Sequence, residues 1–317
     1  MEKGIASVAS GLRIDKMLDK SVTTSSENVS FTSKHKNFFT DYVNVFKQDP
    51  FNSQNAVMIS YNNEKHPSTI TTTDVIRTNL FGEKAKEALF VAGEPIFLGS
   101  TITAPSIETG KNIEMPKNSR TIIKSINSVV KSFNIGTKRY PDYINVPVYS
   151  IAAHYGKDIV NFDALDKAYS QQFIPSRYDS KRKGYILDDG SFLSYGRYMR
   201  LKEAGITDIF HGYLMSAHKV QGQTYNHSFV HDMNISSHVR PSMNSGEMIL
   251  TPKSYAQILY TAISRARNKV YVLTSNVADE AGAFAQPTFE NPMKSVATEV
   301  TAAEFPNDLE LENQCKS

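Results

Sequence analysis

Two segments of the 317-residue chain concentrate side chains that can do chemistry. The first is His218-Lys219-Val220-Gln221-Gly222-Gln223-Thr224, directly after a stretch, 212–217, that reads as a strand. A glycine at such a turn lets the backbone approach a ligand closely and exposes its amides to phosphate or ribose. His, Lys, Gln and Thr add a dense set of hydrogen-bond donors suited to a polyanion. The same composition also suits a polar turn with no ligand, and local composition leaves both open. The second segment is Tyr260-Thr261-Ala262-Ile263-Ser264-Arg265-Ala266-Arg267. It falls in a stretch, 254–267, whose apolar residues recur at helical spacing, so both arginines are expected on a helix. Two residues apart is about 200° around a helix, so Arg265 and Arg267 cannot serve the same surface. An arginine held rigidly can stabilise the charge of a transferring phosphoryl group; alternatively, both are solvated surface charges.

Several elements must position these residues. Phe38, Phe39, Val43 and Phe46 predict an amphipathic helix over 36–47. The apolar run 56–61 predicts a buried strand, Asn62-Asn63 a turn, and 69–80 a helix packed on that strand. Strand, turn and helix make half of a βαβ unit. From 89 to about 195 the texture changes to short β-like runs (89–91, 95–98, 120–126, 146–152 and 185–187) punctuated by Gly and Pro. This predicts a small all-β module inserted into an α/β domain. Within it Lys181-Arg182-Lys183 forms a cationic loop, readable as a solvated turn or as a nucleic-acid contact. Strands are expected again at 212–217, 229–231 and 269–274, and a short helix at 14–18.

Composition narrows the class. With 40% hydrophobic and 21% charged residues the chain has the make-up of a globular protein. One cysteine, Cys315, excludes a disulfide framework, and His227, His231 and His238 form no zinc pattern, so no metal site is expected. No apolar run of membrane-spanning or signal-peptide length occurs, and a cytoplasmic location is expected. The net charge of +3 hides an asymmetry. Residues 277–317 hold eight acids against Lys294 and Lys316, a net −6, which leaves +9 on residues 1–276. A basic body is compatible with a polyanionic partner, and the acidic flexible tail would either recruit a replication partner or aid solubility.

Taken together, in this order and at this separation, the two segments resemble motifs V and VI of superfamily 1 helicases. The family pattern runs His-Lys-x-Gln-Gly-x-Thr, then Tyr-x-Ala-x-Ser/Thr-Arg-Ala. Within that superfamily the chain resembles the Dda-like phage helicases, allied to RecD-type enzymes that move 5′ to 3′ on single-stranded DNA. Val57-Met58-Ile59-Ser60-Tyr61-Asn62 is similar to the strand and Asn of that family's second RecA-like domain, and Ile76-Arg77 to the helix after it. Val91-Ala92-Gly93-Glu94 resembles the start of its inserted SH3-like barrel. The likeness covers about residues 10–276 and is strongest over 213–274.

The resemblance implies an α/β fold: a RecA-like (P-loop NTPase-type) parallel-sheet domain with an inserted small all-β, SH3-like module. Residues 1–88 would form the first part of the RecA-like domain, 89–200 the insertion and 201–276 the remainder. It also implies site roles. Arg265 would be the arginine finger, and Gly222, Gln223 and Thr224 would line the nucleotide. His218, Lys219 and Asn62 would face DNA. No Gly-x-x-x-x-Gly-Lys-Ser/Thr loop occurs, since Gly110-Lys111-Asn112 and Gly156-Lys157-Asp158 lack its other members. No apolar strand ends in Asp-Glu; Asp279-Glu280 lies in the tail. ATP with Mg²⁺ would therefore bind jointly with a first RecA-like domain carrying the Walker motifs, which together with single-stranded DNA and replication proteins would be the partners. Alone, the chain is expected to show no ATPase. The alternative is a non-catalytic nucleic-acid-binding or scaffold protein derived from the helicase fold.

Overall fold

Five successive residues without a charge, Ala56–Ser60, all become buried, the mark of a strand covered on both faces. In the computed structural model this strand, β2, lies inside a five-stranded sheet. The structure describes residues 5, 6, 8, 9, 27–63, 65–136, 139–166, 175–188, 190–203, 206–243, 245–275 and 277. The helix expected at 14–18, the tail beyond Val277, Asp279-Glu280 and Cys315 lie outside these residues.

The chain divides into two units. Met1–Pro50, Gln54–Leu89 and Tyr213–Ser317 make the first; Phe51–Ser53 and Phe90–Gly212 make the second. In the first unit, β1 (Val29–Thr32) is followed by α1 (His35–Gln48), β2, α2 (Pro67–Phe81) and the short α3 (Lys84–Glu87). After the second unit come β13 (Leu214–Ser216), β14 (Tyr225–His231), α5 (Asp232–Ser236), α6 (Pro252–Ile263) and β15 (Ala266–Leu273). The sheet order is β1-β15-β14-β2-β13, and every neighbouring pair is parallel. This is a mixed α/β unit. Its core joins one face of α1, through Phe38, Phe39, Tyr42 and Val45, to Met58 of β2 and Phe229 of β14. Phe229 stacks on Tyr271 with centroids 4.2 Å apart.

The second unit is antiparallel. Its main sheet runs β12-β3-β6-β7-β8, with β3 at Pro95–Leu98, β6 at Arg120–Asn134, β7 at Tyr143–Tyr155, β8 at Asp158–Leu165 and β12 at Ile209–His211. A hairpin of β4 (Ile102–Pro105) and β5 (Asn112–Met115) accompanies it. So does a three-stranded sheet of β9 (Tyr178–Asp179), β10 (Gly184–Ile186) and β11 (Phe192–Ser194). Gly156-Lys157 is the two-residue turn between β7 and β8, with Gly156 at φ 61°, and Gly110 turns β4 into β5 at φ 67°. Both are hairpin tips.

The structure departs from the sequence reading in four places. The second unit is not purely β, because α4 (Tyr195–Glu203) packs Leu201 into the core with Leu193 and Val146. Nine residues give periodicity too little length to register. Residues 89–91 form no strand: Phe90 instead buries its ring against Tyr149 and His211. The strand expected at 212–217 is Leu214–Ser216, paired with β2, but it is preceded by a strand the sequence did not announce, Ile209–His211, which pairs with β3. Residues 201–212, grouped by sequence with the parallel-sheet portion, therefore belong to the second unit. Lastly, the helix expected over 254–267 stops at Ile263. Ala266 starts β15, opposite Tyr225 of β14.

Candidate functional site

Parallel strands align their ends, so the first unit has one edge of strand C-termini and one of N-termini. β13 and β14 lie on opposite sides of β2. The segment 217–224 must therefore carry the chain from the C-terminal edge back to the N-terminal edge. It does so in turns: the Lys219 amide donates to Ser216 O at 2.9 Å and the Gln223 amide to Val220 O at 3.0 Å. Gly222 takes φ 83°, a left-handed conformation that favours glycine, and a Cβ there would meet no atom within 4 Å. The requirement at Gly222 is conformational, not steric.

One crossing thus sorts the expected site residues. His218 and Lys219 sit where it begins, the first exposed and the second half-buried. Gly222, Gln223 and Thr224 sit where it ends, immediately before β14. Asn62 also lies at the C-terminal edge, two residues past β2. Arg265 lies at the N-terminal edge, one residue before β15.

Arg265 is not on a helix as expected, but on the turn that follows α6. Ser264 closes that helix, and the next residues are drawn into the sheet by pairing with β14. Arg267 is an exposed residue of β15, so the two arginines are separated by strand geometry and not by a helical turn. The half-buried Arg265 side chain folds back over the turn. Nε donates to Thr261 O at 3.2 Å, Nη2 to Ser264 Oγ at 3.1 Å and Nη1 to Gln223 O at 3.3 Å. The Arg265 carbonyl accepts the Tyr225 amide at 2.8 Å. The two segments, whose Gln223 and Arg265 lie 42 residues apart in sequence, are joined directly. A guanidinium carries five N–H groups, and these contacts use three.

Gln223 is built as a brace. Its Nε2 donates to Lys219 O at 3.1 Å, its Oε1 accepts from Tyr225 Oη at 2.6 Å, and its carbonyl holds Arg265. Asn62 is only 8% exposed, and its Nδ2 donates to Ser68 Oγ at 3.1 Å. As placed, it ties the turn after β2 to the start of α2, where His66 Nδ1 also meets Ser68 Oγ at 2.8 Å.

Sequence reasoning missed most of the C-terminal edge. Asn234 Oδ1 accepts the Tyr61 amide at 3.0 Å. The His238 ring lies 4.3 Å from that of Tyr61 and its Nδ1 meets Asn234 O at 2.7 Å. Asp232 accepts from Tyr255 Oη at 2.6 Å, and burial pushes its carboxyl above the usual range. Burial also drives His231 down to about 3 and His35 to about 4, with ring centroids 5.9 Å apart. The only sequence trace of this cluster is His-Asp at the end of an apolar strand, a weak signal without the fold. Among the described residues no group of three or more His, Cys, Asp and Glu is placed to hold a metal ion, and no helix is long and apolar enough to cross a membrane.

No protein-family model and no curated protein matches the chain. Among solved structures it is weakly similar to the Pif1 helicase of Candida albicans, at 12% identity and TM-score 0.30, over 95% of this chain and 58% of that one. It is also weakly similar to a chain in a structure of two coordinating Pif1 helicases unwinding forked double-stranded DNA, at 9% identity and TM-score 0.27, over 88% and 50%. This chain spans about half the length of those it matches.

Proposed function

We propose that the first unit is the second RecA-like half of an ATP-dependent superfamily 1 DNA helicase, carrying an SH3-like insertion. The observation that carries this reading is the hydrogen bond from Arg265 to the Gln223 carbonyl. It joins the two helicase-like motifs at one edge of a parallel sheet, and the crossing segment delivers Lys219 to the other edge.

The donor set fits one end of a nucleotide and no more. Arg265 has guanidinium N–H groups left for a γ-phosphate, and the exposed Gly222 leaves its backbone open beside them. The Mg²⁺ ligands and the phosphate-cradling loop belong to a Walker-bearing half, on this or another polypeptide. Bound between the halves, ATP would supply the phosphoryl group whose loss drives stepping. Arg265 would stabilise charge on that group, an effect of roughly 10³–10⁵ in rate for comparable arginines. Gln223 and Ser264 hold the guanidinium, so little reorganisation is needed when the halves close. Lys219 and His218 would grip the phosphates of single-stranded DNA, and Asn62 would fix the turn beside them.

The test is the complex with its Walker-bearing half. Arg265→Ala is expected to cut ATPase at least a thousandfold while anisotropy titration with labelled single-stranded DNA stays within about twofold. Equal loss of both activities would remove the finger role. A second reading, a scaffold without catalysis, is favoured by the three internal hydrogen bonds of Arg265, which suit a purely structural tie. On that reading the variant lowers Tm and leaves the ATPase of the complex untouched.

A further inference from the structure

The Lys181-Arg182-Lys183 loop takes no part in the function proposed for the first unit. It is the tip of a four-residue connection between β9 and β10, where Asp179 pairs with Gly184. The tip is rigidly built. Asp179 Oδ1 accepts both the Lys181 amide at 2.9 Å and the Arg182 amide at 3.1 Å. The Lys183 backbone is left-handed at φ 53°, and its carbonyl accepts the Tyr195 amide at 2.8 Å. Gly184 is closed in by β11: a Cβ there would lie 2.4 Å from Leu193 O and 2.5 Å from the Phe192 ring. A merely solvated turn needs none of this order.

The three side chains are exposed and none pairs with a carboxylate among the described residues. Over 175–203 the chain has seven lysines and arginines against four acids, a net +3 equal to that of the whole molecule. Aromatic rings are interleaved with this charge. Register places Phe192 opposite Ile186, on the face away from Leu193, which is buried in the core. The Arg182 guanidinium carbon lies 4.0 Å from the Phe192 ring centroid. One guanidinium face is thus stacked, and the other is presented on an exposed residue. Nearby, Tyr178 and Tyr195 remain 37% and 45% exposed with their rings perpendicular.

We propose that this surface is a second single-stranded DNA contact, in which Lys181 and Lys183 meet phosphates and a base stacks on the Arg182–Phe192 pair. Charge complementarity and flat π surfaces at a fixed tip are the features by which single strands are held without sequence preference. An acidic protein would use the charge but not the rings. The site lies wholly within the second unit and needs neither ATP nor Arg265.

The experiment is an anisotropy titration of the full chain with fluorescein-labelled oligo-dT at several salt concentrations. Lys181→Gln with Lys183→Gln should flatten the salt slope by about 0.7 per lysine. Arg182→Lys, which keeps the charge and loses the plane, should weaken binding about tenfold at an unchanged slope. If these variants bind like the parent while Lys219→Ala weakens binding, the surface is refuted and the helicase reading stands. The reverse pattern supports the surface and takes Lys219 out of the DNA path. Polyglutamate competing as well as unlabelled oligo-dT would also refute it, since carboxylates supply charge without rings. Each variant's Tm is compared with the parent's; an Arg182→Lys loss of binding that tracks a loss of folded protein counts against the surface.

Discussion

Gly222 and Arg265 show how much a single residue can decide here. The turn at Gly222 runs through φ 83° with open space where a side chain would go. Gly222→Ala is therefore expected to cost about 1–2 kcal/mol from backbone strain alone. Urea denaturation measures this, and an unchanged midpoint would mean that the turn relaxes. For Arg265 the identity of the residue was plain from its motif, but its placement was not. Its neighbours Ala262, Ile263 and Ala266 continue an apolar stripe, so the sequence reads as helix past the point where the helix ends. Likewise Gln223, expected to line a nucleotide, also accepts from the Arg265 guanidinium through its carbonyl and braces the turn with its side chain, contacts that no local pattern shows.

At the scale of elements, long apolar periodicity was legible and pairing was not. The helix expected over 36–47 is α1, His35–Gln48, because five of its residues form one buried face. Phe38 is fully buried and its ring lies 5.6 Å from that of Phe229. Phe38→Ala is expected to destabilise the first unit by about 3–5 kcal/mol, read from its thermal or urea unfolding; a loss below about 1 kcal/mol would mean that the core closes over the gap. The strand expected at 229–231 begins at Tyr225, since Tyr225 pairs with β15 and the polar His227 with both β15 and β2, across a register shift at Asn226. In the second unit the run expected at 120–126 extends to Asn134, because cross-strand partners on β7 support a stretch too polar to announce itself.

For the molecule as a whole, the pH dependence follows from two half-buried histidines. His35 opens α1 and His231 ends β14; the fold presses them together away from water, and His35 Nε2 is buried with no hydrogen-bond partner among the described residues. Their folded values, about 4 and about 3, lie below the ordinary 6.5. The unfolded chain therefore binds protons that the native one refuses. This stability is fully present above about pH 6.5 and falls as pH drops through 6.5 toward those folded values. At pH 5 the loss is about 2 kcal/mol per histidine. Urea midpoints at pH 7.5 and pH 5 check this, and His35→Phe should flatten the difference; an unchanged difference would place the acid sensitivity elsewhere.

By itself the sequence determined the chemistry on offer: a glycine turn rich in donors, an arginine within an apolar stretch, a cationic loop among aromatics, and the alternation of α/β with β-rich segments. These are properties of neighbouring residues, and neighbours are what a sequence shows. The tertiary structure alone decided that Arg265 meets Gln223, that one eight-residue crossing sends Lys219 and Thr224 to opposite edges, and that His35 confronts His231. Each depends on which strands lie side by side. That order is set by burying the faces of distant segments together, and no local pattern encodes it.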